Sequence, residues 1–396
     1  MDTFTFTRLL EEGTKANFLS KQEEAKTARR TQIDVVFDNT NITKNLNEYL
    51  ISFTFTDNEA GQADDISIEL DDRDGLWIEK WLNPEESGEP LKGHTLQITI
   101  QQINYADNSL IKTLDCGIFC LDSVGVSGPP ARVSLKACTI LNGAAIKNEK
   151  HSRQWEGYTL KDIAAEIAKN AGYTLLFDSK QTQTYSRIEQ SQEADLPFLE
   201  KLCVDAGLSL KITNQQIVIF EAVDYEAAPA IKTFYKSDLA SWKFDVETLD
   251  KKYTSCTVKY TSPITQKTIE ATYPPNGEDV DAPDEYEEYT DKKGRKRKRK
   301  KKKPKAPKGE VLNITTEKVD SKEAALELAK KRLREKNKAE YKASINLIGD
   351  VDLQAGLCIM LSDFGAFSGK YIIEQATHNV TGGYKTALKL RRVMNY

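Results

Sequence analysis

Metal ligation, nucleophilic attack and polyanion binding each need particular side chains at particular spacings, and this 396-residue chain can be searched for each. Its three histidines, His94, His151 and His378, stand far apart in sequence, and none has a Cys, Asp or His neighbour at metal-ligand spacing. Surface or structural roles are expected for them, and His378 follows an apolar run with no evident partner. Cys116 and Cys120, four apart, fall on one face of a strand, but no second pair completes a zinc site, so both read as core thiols. The segment "LDDRDG" sets Asp72 and Asp74 at the third and fifth positions of a calcium loop whose sixth is Gly75. Leu70 at the first position and Trp81 at the closing one break that pattern, which leaves an acidic turn after a strand.

Nucleophilic chemistry fares no better. "GVSGPP" is not a nucleophile elbow, because Gly128 follows Ser127 directly, and neither glycine-rich phosphate cradle occurs. Among 60 acidic residues some close carboxylate pair is inevitable, so the pairing used in glycoside hydrolysis discriminates nothing here. No nucleophile, base and oxyanion donors converge, and the chain reads as a non-enzyme with no catalytic residue, metal or cofactor.

The strongest charge signal is "GRKRKRKKKKPK". Lys292, Lys293, Arg295, Lys296, Arg297, Lys298, Arg299, Lys300, Lys301, Lys302 and Lys303 form a candidate electrostatic docking loop for an acidic protein surface or a passing nucleic acid. The 13 positive charges between 292 and 308 leave −17 on the remainder of a chain whose formal charge is −4. The folded part therefore repels a phosphate backbone, and a nucleic-acid grip is not expected to be the main function. The preceding acids, among them Glu278, Asp284, Glu287, Glu288 and Asp291, can neutralise the run intramolecularly. Like charges repel and extend a chain, so the insertion 277–309 is expected to be a solvated, disordered loop.

Six cysteines are too sparse for a disulfide scaffold, the first residues lack the order of a signal peptide, and no apolar run approaches a membrane span. Synthesis and folding in the cytoplasm, without membrane insertion, are expected.

These residues are carried by three textures. Residues 1–30 form a polar extension. From Gln32 to Cys138, six β-branched and aromatic runs such as "DDISIEL" alternate apolar with polar positions between turn residues, which predicts a closed or nearly closed β-barrel over 31–146. Ile66, Ile68 and Leu70 share one face of such a strand. Residues 147–228 hold two helix-Gly-strand units, one capped by Thr159 and stopped by Gly172, the other capped by Asp195 and stopped by Gly207. Strand texture returns over 229–396, interrupted by the charged insertion and by one long helix opened by an Asp320–Glu323 capping box. The fold class is β-rich α+β.

The wording of several segments adds a family. "YLISFTFTDNEAGQADDISIELDDRDGLW", "LDCGIFCLDSVGVSGPP", "RQWEGYTLKDIAAEIAKNAG" and "RIEQSQEADLPFLEKLCVDAGLSLKI" resemble the phage late control protein D family, as do "DSKEAALELAKKRLREKN" and "GKYIIEQATHNVTGGYKTALKLRRV". That family supplies the baseplate hub of contractile phage tails and tailocins, and is similar to the hub part of type VI secretion spike proteins. The resemblance implies two tube-protein-like β-barrel domains joined by the small α/β domain. It also implies a homotrimer whose six barrels form a pseudo-sixfold ring between a hexameric tail tube and a trimeric central spike. The implied partners are the chain itself, the tube or tube-initiator protein and the spike, with the tape-measure protein and the baseplate wedge beyond them. The implied location is the baseplate of a virion or tail-like particle. Residues 1–30 and the insertion 277–309 fall outside the shared pattern. Two other readings stay open: a tail-associated cell-wall hydrolase, and a nucleic-acid-binding module centred on the basic loop.

Overall fold

The computed structural model describes residues 29–81, 94–105, 110–140, 145–182, 184–247, 253–261, 266–274, 286–290, 296–300, 310–315, 319 and 321–394. The chain is β-rich with few helices. Its contacts divide it into two compact units, Met1–Lys243 with Ala343–Leu390, and Phe244–Lys342 with Arg391–Tyr396.

All six strands predicted in the first β-rich region form, as Arg30–Phe37, Leu50–Asn58, Asp65–Asp71, Thr95–Ile103, Ile111–Ser127 and Arg132–Cys138. Ile66, Ile68 and Leu70 alternate with more exposed neighbours and pack into a core with Phe53, Leu96, Phe119 and Leu135. The expected closure does not occur within these six strands. Antiparallel pairing runs from Arg30–Phe37 through Thr95–Ile103, Ile111–Ser127, Arg132–Cys138 and Asp65–Asp71 to Leu50–Asn58. The last of these takes Gly369–Val380 as its outer neighbour, from Phe53 opposite Val380 to Asn58 opposite Gln375.

The reason lies in the helix Thr43–Tyr49, which follows Arg30–Phe37. Asn47 accepts the N–H of Ile33 at 3.2 Å and donates to its carbonyl at 2.6 Å, while Thr43 Oγ1 accepts the N–H of Val35 at 2.9 Å. Side chains thus satisfy backbone groups that a closing strand would have used. Ile42 and Leu46 bring the same segment into the core.

The α/β region matches its pattern with one exception. Helix Leu160–Asn170 opens with a capping box between Thr159 and Asp162, and buries Leu160, Ile163, Ala164, Ile167 and Ala168. Helix Asp195–Ala206 ends at Gly207, whose φ of 72° is the left-handed conformation that glycine adopts without penalty. Its N-cap, however, is Ala194 rather than Asp195. Asp195 is drawn away by Arg153, whose Nη1 donates to its two oxygens at 3.1 and 3.2 Å, and by Gln190 at 2.8 Å. Strand Gln216–Phe220 pairs parallel with Thr174–Asp178 and antiparallel with Ser209–Thr213.

In the second unit, Ser255–Thr261 lies between Thr268–Tyr273, antiparallel, and Val311–Ile314, parallel. Helix Lys322–Asn337 buries Ala325, Ala329 and Leu333 against Cys256, Val258 and Ala271. Its cap is Ser321, whose Oγ accepts the N–H of Ala324 at 3.0 Å; Asp320 lies outside the described residues.

Candidate functional site

Three parts of the first unit meet at one buried polar joint. Asp57 is next to the last residue of the strand Leu50–Asn58, Asp64 sits just before Asp65–Asp71, and Lys211 projects from Ser209–Thr213 of the α/β region. The Lys211 ammonium lies 2.5 Å from Asp57 and 3.2 Å from Asp64, and donates to the carbonyl of Asn58 at 2.8 Å. Backbone N–H groups complete the carboxylates: Asn58 donates to Asp64 at 2.7 Å, and Ala355 donates to Asp57 at 2.7 Å. Gln375 donates to the Asn58 side chain at 2.7 Å. Around the joint, Gly61 N–H donates to the carbonyl of Leu210 at 3.0 Å and the Thr139 hydroxyl to that of Ile212 at 2.9 Å.

Burial decides the charge states. It pushes the Asp64 carboxyl up to about 7, opposed by the Lys211 ammonium, and the Asp57 charge adds to the rise. Burial also pulls on Lys211 in the direction of the neutral amine, but Asp57 and Asp64 outweigh it and hold the ammonium pKa above its ordinary value. An ammonium and backbone donors occupy both carboxylates, which fixes the joint in place.

Next to it, His378 is fully buried within the strand Gly369–Val380. It has the partners its sequence setting did not reveal: Tyr384 Oη lies 2.7 Å from Nδ1 and the carbonyl of Leu353 lies 3.0 Å from Nε2. A carbonyl only accepts, so Nε2 carries the proton and Nδ1 accepts from the Tyr384 hydroxyl. Burial pulls the imidazole down to about 4, so it is neutral at pH 7. Tyr384 is in turn packed onto the backbone of Gly349, where an added Cβ would stand 2.0 Å from its ring. An open cleft of about 530 Å³ borders this region, lined by Gln102, Lys112, Lys232, Asp238, Asp350 and Asp352. Four of its charges pair with each other, Lys232 with Asp350 at 2.6 Å and Lys112 with Asp352.

The residues singled out in sequence fall elsewhere. His94 pairs with Asp38, and His151 lies 3.9 Å from Asp195. Cys116 is in the core and Cys120 is buried. Asp72 accepts the N–H groups of Trp77 at 2.8 Å and Ile78 at 3.1 Å, so the acidic turn serves the backbone that follows it. No three-residue cluster of metal-binding type occurs among the described residues.

Two short segments of the basic insertion are among the described residues. Residues Lys296–Lys300 form a strand paired antiparallel with Tyr286–Thr290. The register sets Glu287 opposite Arg299 and Glu288 opposite Lys298, so opposite charges occupy partner positions, an arrangement that favours pairing. Tyr286, Tyr289 and Thr290 add residues that prefer strands. Lys292, Lys293, Arg295, Lys301, Lys302 and Lys303 lie outside the described residues.

The class the geometry defines is a β-rich fold built around a buried, internally paired polar joint. Comparison with known proteins narrows that class. The chain is 27% identical over 200 residues to a probable baseplate hub protein of Escherichia phage 186, covering 50% of this chain and 47% of that one. It is 28% identical over 190 residues to the corresponding protein of Escherichia phage P2, covering 48% and 44%. The matched region thus spans about half the length of these curated relatives. A family described as YQBQ-like matches residues 311–391. The tail protein from Neisseria meningitidis MC58 shares the fold, with a TM-score of 0.62 at 12% identity over 92% of this chain and 98% of that one. The chain is therefore similar over about half its length to two probable phage baseplate hub proteins, in line with the resemblance its motifs carry.

Proposed function

We propose that the chain is the structural baseplate hub of a contractile phage tail or phage-tail-like particle. The observation that carries this is the similarity to two baseplate hub proteins, joined to a tail-protein fold over nearly the whole chain. In this reading, regions 31–146 and 229–396 supply two tube-like modules and 147–228 the α/β connector between them. The continuous sheet formed by Leu50–Asn58 and Gly369–Val380 supports rigid coupling of the two modules, as force transmission requires. Three chains close a pseudo-sixfold ring that joins the hexameric tube to the trimeric spike, because doubling one module per chain matches three copies to six. The chain acts without catalysis, in a particle assembled in the bacterial cytoplasm.

A reconstruction of the assembled particle tests this. Three copies at the junction of tube and spike are expected. Six copies in true sixfold symmetry, or a location away from that junction, would remove the reading.

A further inference from the structure

We infer that Cys120 and Cys138 are the two halves of a redox-closable cross-strand disulfide, which locks the end of the sheet on which the α/β region is seated. The two residues stand directly opposite each other on the antiparallel strands Ile111–Ser127 and Arg132–Cys138, and both thiols are free. Opposed residues of an antiparallel pair leave the sheet on the same face. The N–H of Leu121 points away to the carbonyl of His94, and that of Thr139 away to the carbonyl of Asp64. Alternation along each strand therefore turns the backbone groups of Cys120 and Cys138 toward one another. In such a pair the Cα atoms lie about 5.5 Å apart. That separation is inside the roughly 4.4–6.8 Å that a disulfide spans, and the Cβ atoms, about 5.5 Å apart in a hydrogen-bonded pair, must draw together by about 1 Å for the bond to close. Neither sulfur is held elsewhere by a strong bond, since each makes only a 3.9 Å contact to a carbonyl, Cys120 to Leu121 and Cys138 to Ile140. No other ladder among the described residues sets two cysteines opposite each other.

Access fixes the order of events. Cys138 lines a cleft of about 390 Å³ with Asp65, Lys147, Leu196, Glu200 and Leu210, whereas Cys120 is 5% exposed. With a low-molecular-weight disulfide as oxidant, the Cys138 thiolate attacks one sulfur and expels one thiolate. The Cys120 thiolate then attacks Sγ of Cys138 and expels the second. Two protein S–H bonds are lost, one S–S bond forms, and two electrons pass to the oxidant, which leaves as two thiols. Burial holds the Cys138 thiol above its usual range, so closure accelerates as pH rises. The bond pins the strand end next to Thr139, which reaches both Asp64 and the α/β strand at Ile212.

The test uses the reduced full-length protein incubated with oxidised glutathione, followed by peptide mapping without reduction. A Cys120–Cys138 peptide pair lighter by two hydrogens is expected, with a thermal midpoint raised by several degrees and restored by dithiothreitol. The Cys120→Ser variant should stop at a glutathione adduct on Cys138 with no rise. If mapping of the wild-type chain finds no such pair, or finds it with an unchanged midpoint, the inference is overturned, whether or not the variant folds.

Discussion

Lys211 reaches from the α/β region into the first β-rich region and lies 2.5 Å from Asp57, in a place where the Asp57 side chain is 8% exposed. A single ammonium there is shared by two carboxylates, one in the strand Leu50–Asn58 and one just before Asp65–Asp71. Removing it leaves Asp57 and Asp64 buried side by side with no counter-charge. Lys211→Met should destabilise the protein by about 3–5 kcal/mol in denaturant titration, the scale for breaking a buried pair by removing one partner. Adding Asp57→Asn and Asp64→Asn to the same chain should recover part of the loss, because the uncompensated charge goes with them. A Lys211→Met loss within a few tenths of a kcal/mol would show that the joint contributes nothing.

Asp64 and His378 give stability opposite pH dependences over nearly the same range. The Asp64 carboxyl is raised from its ordinary value to about 7, so the folded state holds its proton where the unfolded state has lost it. Its contribution therefore declines as pH rises from about 4 to 7. The His378 imidazole is lowered from 6.5 to about 4, so the unfolded state binds the extra proton between those values and stability grows with pH. At about 1.36 kcal/mol per pKa unit the Asp64 shift amounts to about 4 kcal/mol and the His378 shift to about 3, so the two largely offset each other. The wild-type chain should show an almost flat profile between pH 4 and 7 from this pair. Asp64→Asn should uncover a rising slope, and His378→Gln a falling one. Parallel profiles for both variants would contradict the assignment.

The Tyr384 ring lies against the backbone of Gly349, and its hydroxyl is anchored by His378. Gly349→Ala puts a methyl group 2.0 Å from the root of the ring, which cannot rotate away. A loss of about 3 kcal/mol is expected from overpacking. Tyr384→Leu alone is also costly, but the double variant should be less harmful than the sum of the two, and the double-mutant cycle reads that coupling. Additive losses would show that the ring is not what excludes the methyl.

Local pattern reached far along this chain. The stripe Leu160, Ile163, Ala164, Ile167 and Ala168, the cap at Thr159 and the stop at Gly207 were all legible, because helix periodicity and capping are encoded within a few residues. The six strands were equally legible, but not their closure, since whether Leu50–Asn58 pairs with Arg30–Phe37 or with Gly369–Val380 depends on partners 317 residues apart at Asn58 and Gln375. The joint was invisible for the same reason. Nothing near Lys211 in sequence announces Asp57 or Asp64, and among 60 acids no carboxylate stands out. Asp195 shows the converse error: a good capping residue by type was claimed by Arg153 from a distant strand. The pairing of Tyr286–Thr290 with Lys296–Lys300 was likewise not legible, because charge along the chain does not show which positions face each other across a ladder.

The pair of strands Tyr286–Thr290 and Lys296–Lys300 offers a further test. Its register makes Glu287 the partner position of Arg299 and Glu288 that of Lys298, which predicts that the acidic segment offsets part of the basic charge. The wild-type protein should accordingly bind heparin weakly for a chain with 13 positive charges between residues 292 and 308. Replacing Glu287 and Glu288 with Lys removes the offset and sets like charges opposite each other, which weakens the pairing and frees the basic arm for an external polyanion. The double variant should elute from heparin at higher salt. The slope of log affinity against log salt should steepen by roughly two to four, at about 0.9 for each additional phosphate-like contact. Identical elution of the two proteins would mean that the acidic strand does not shield the basic one, and a stability measurement on the same samples separates that outcome from global unfolding.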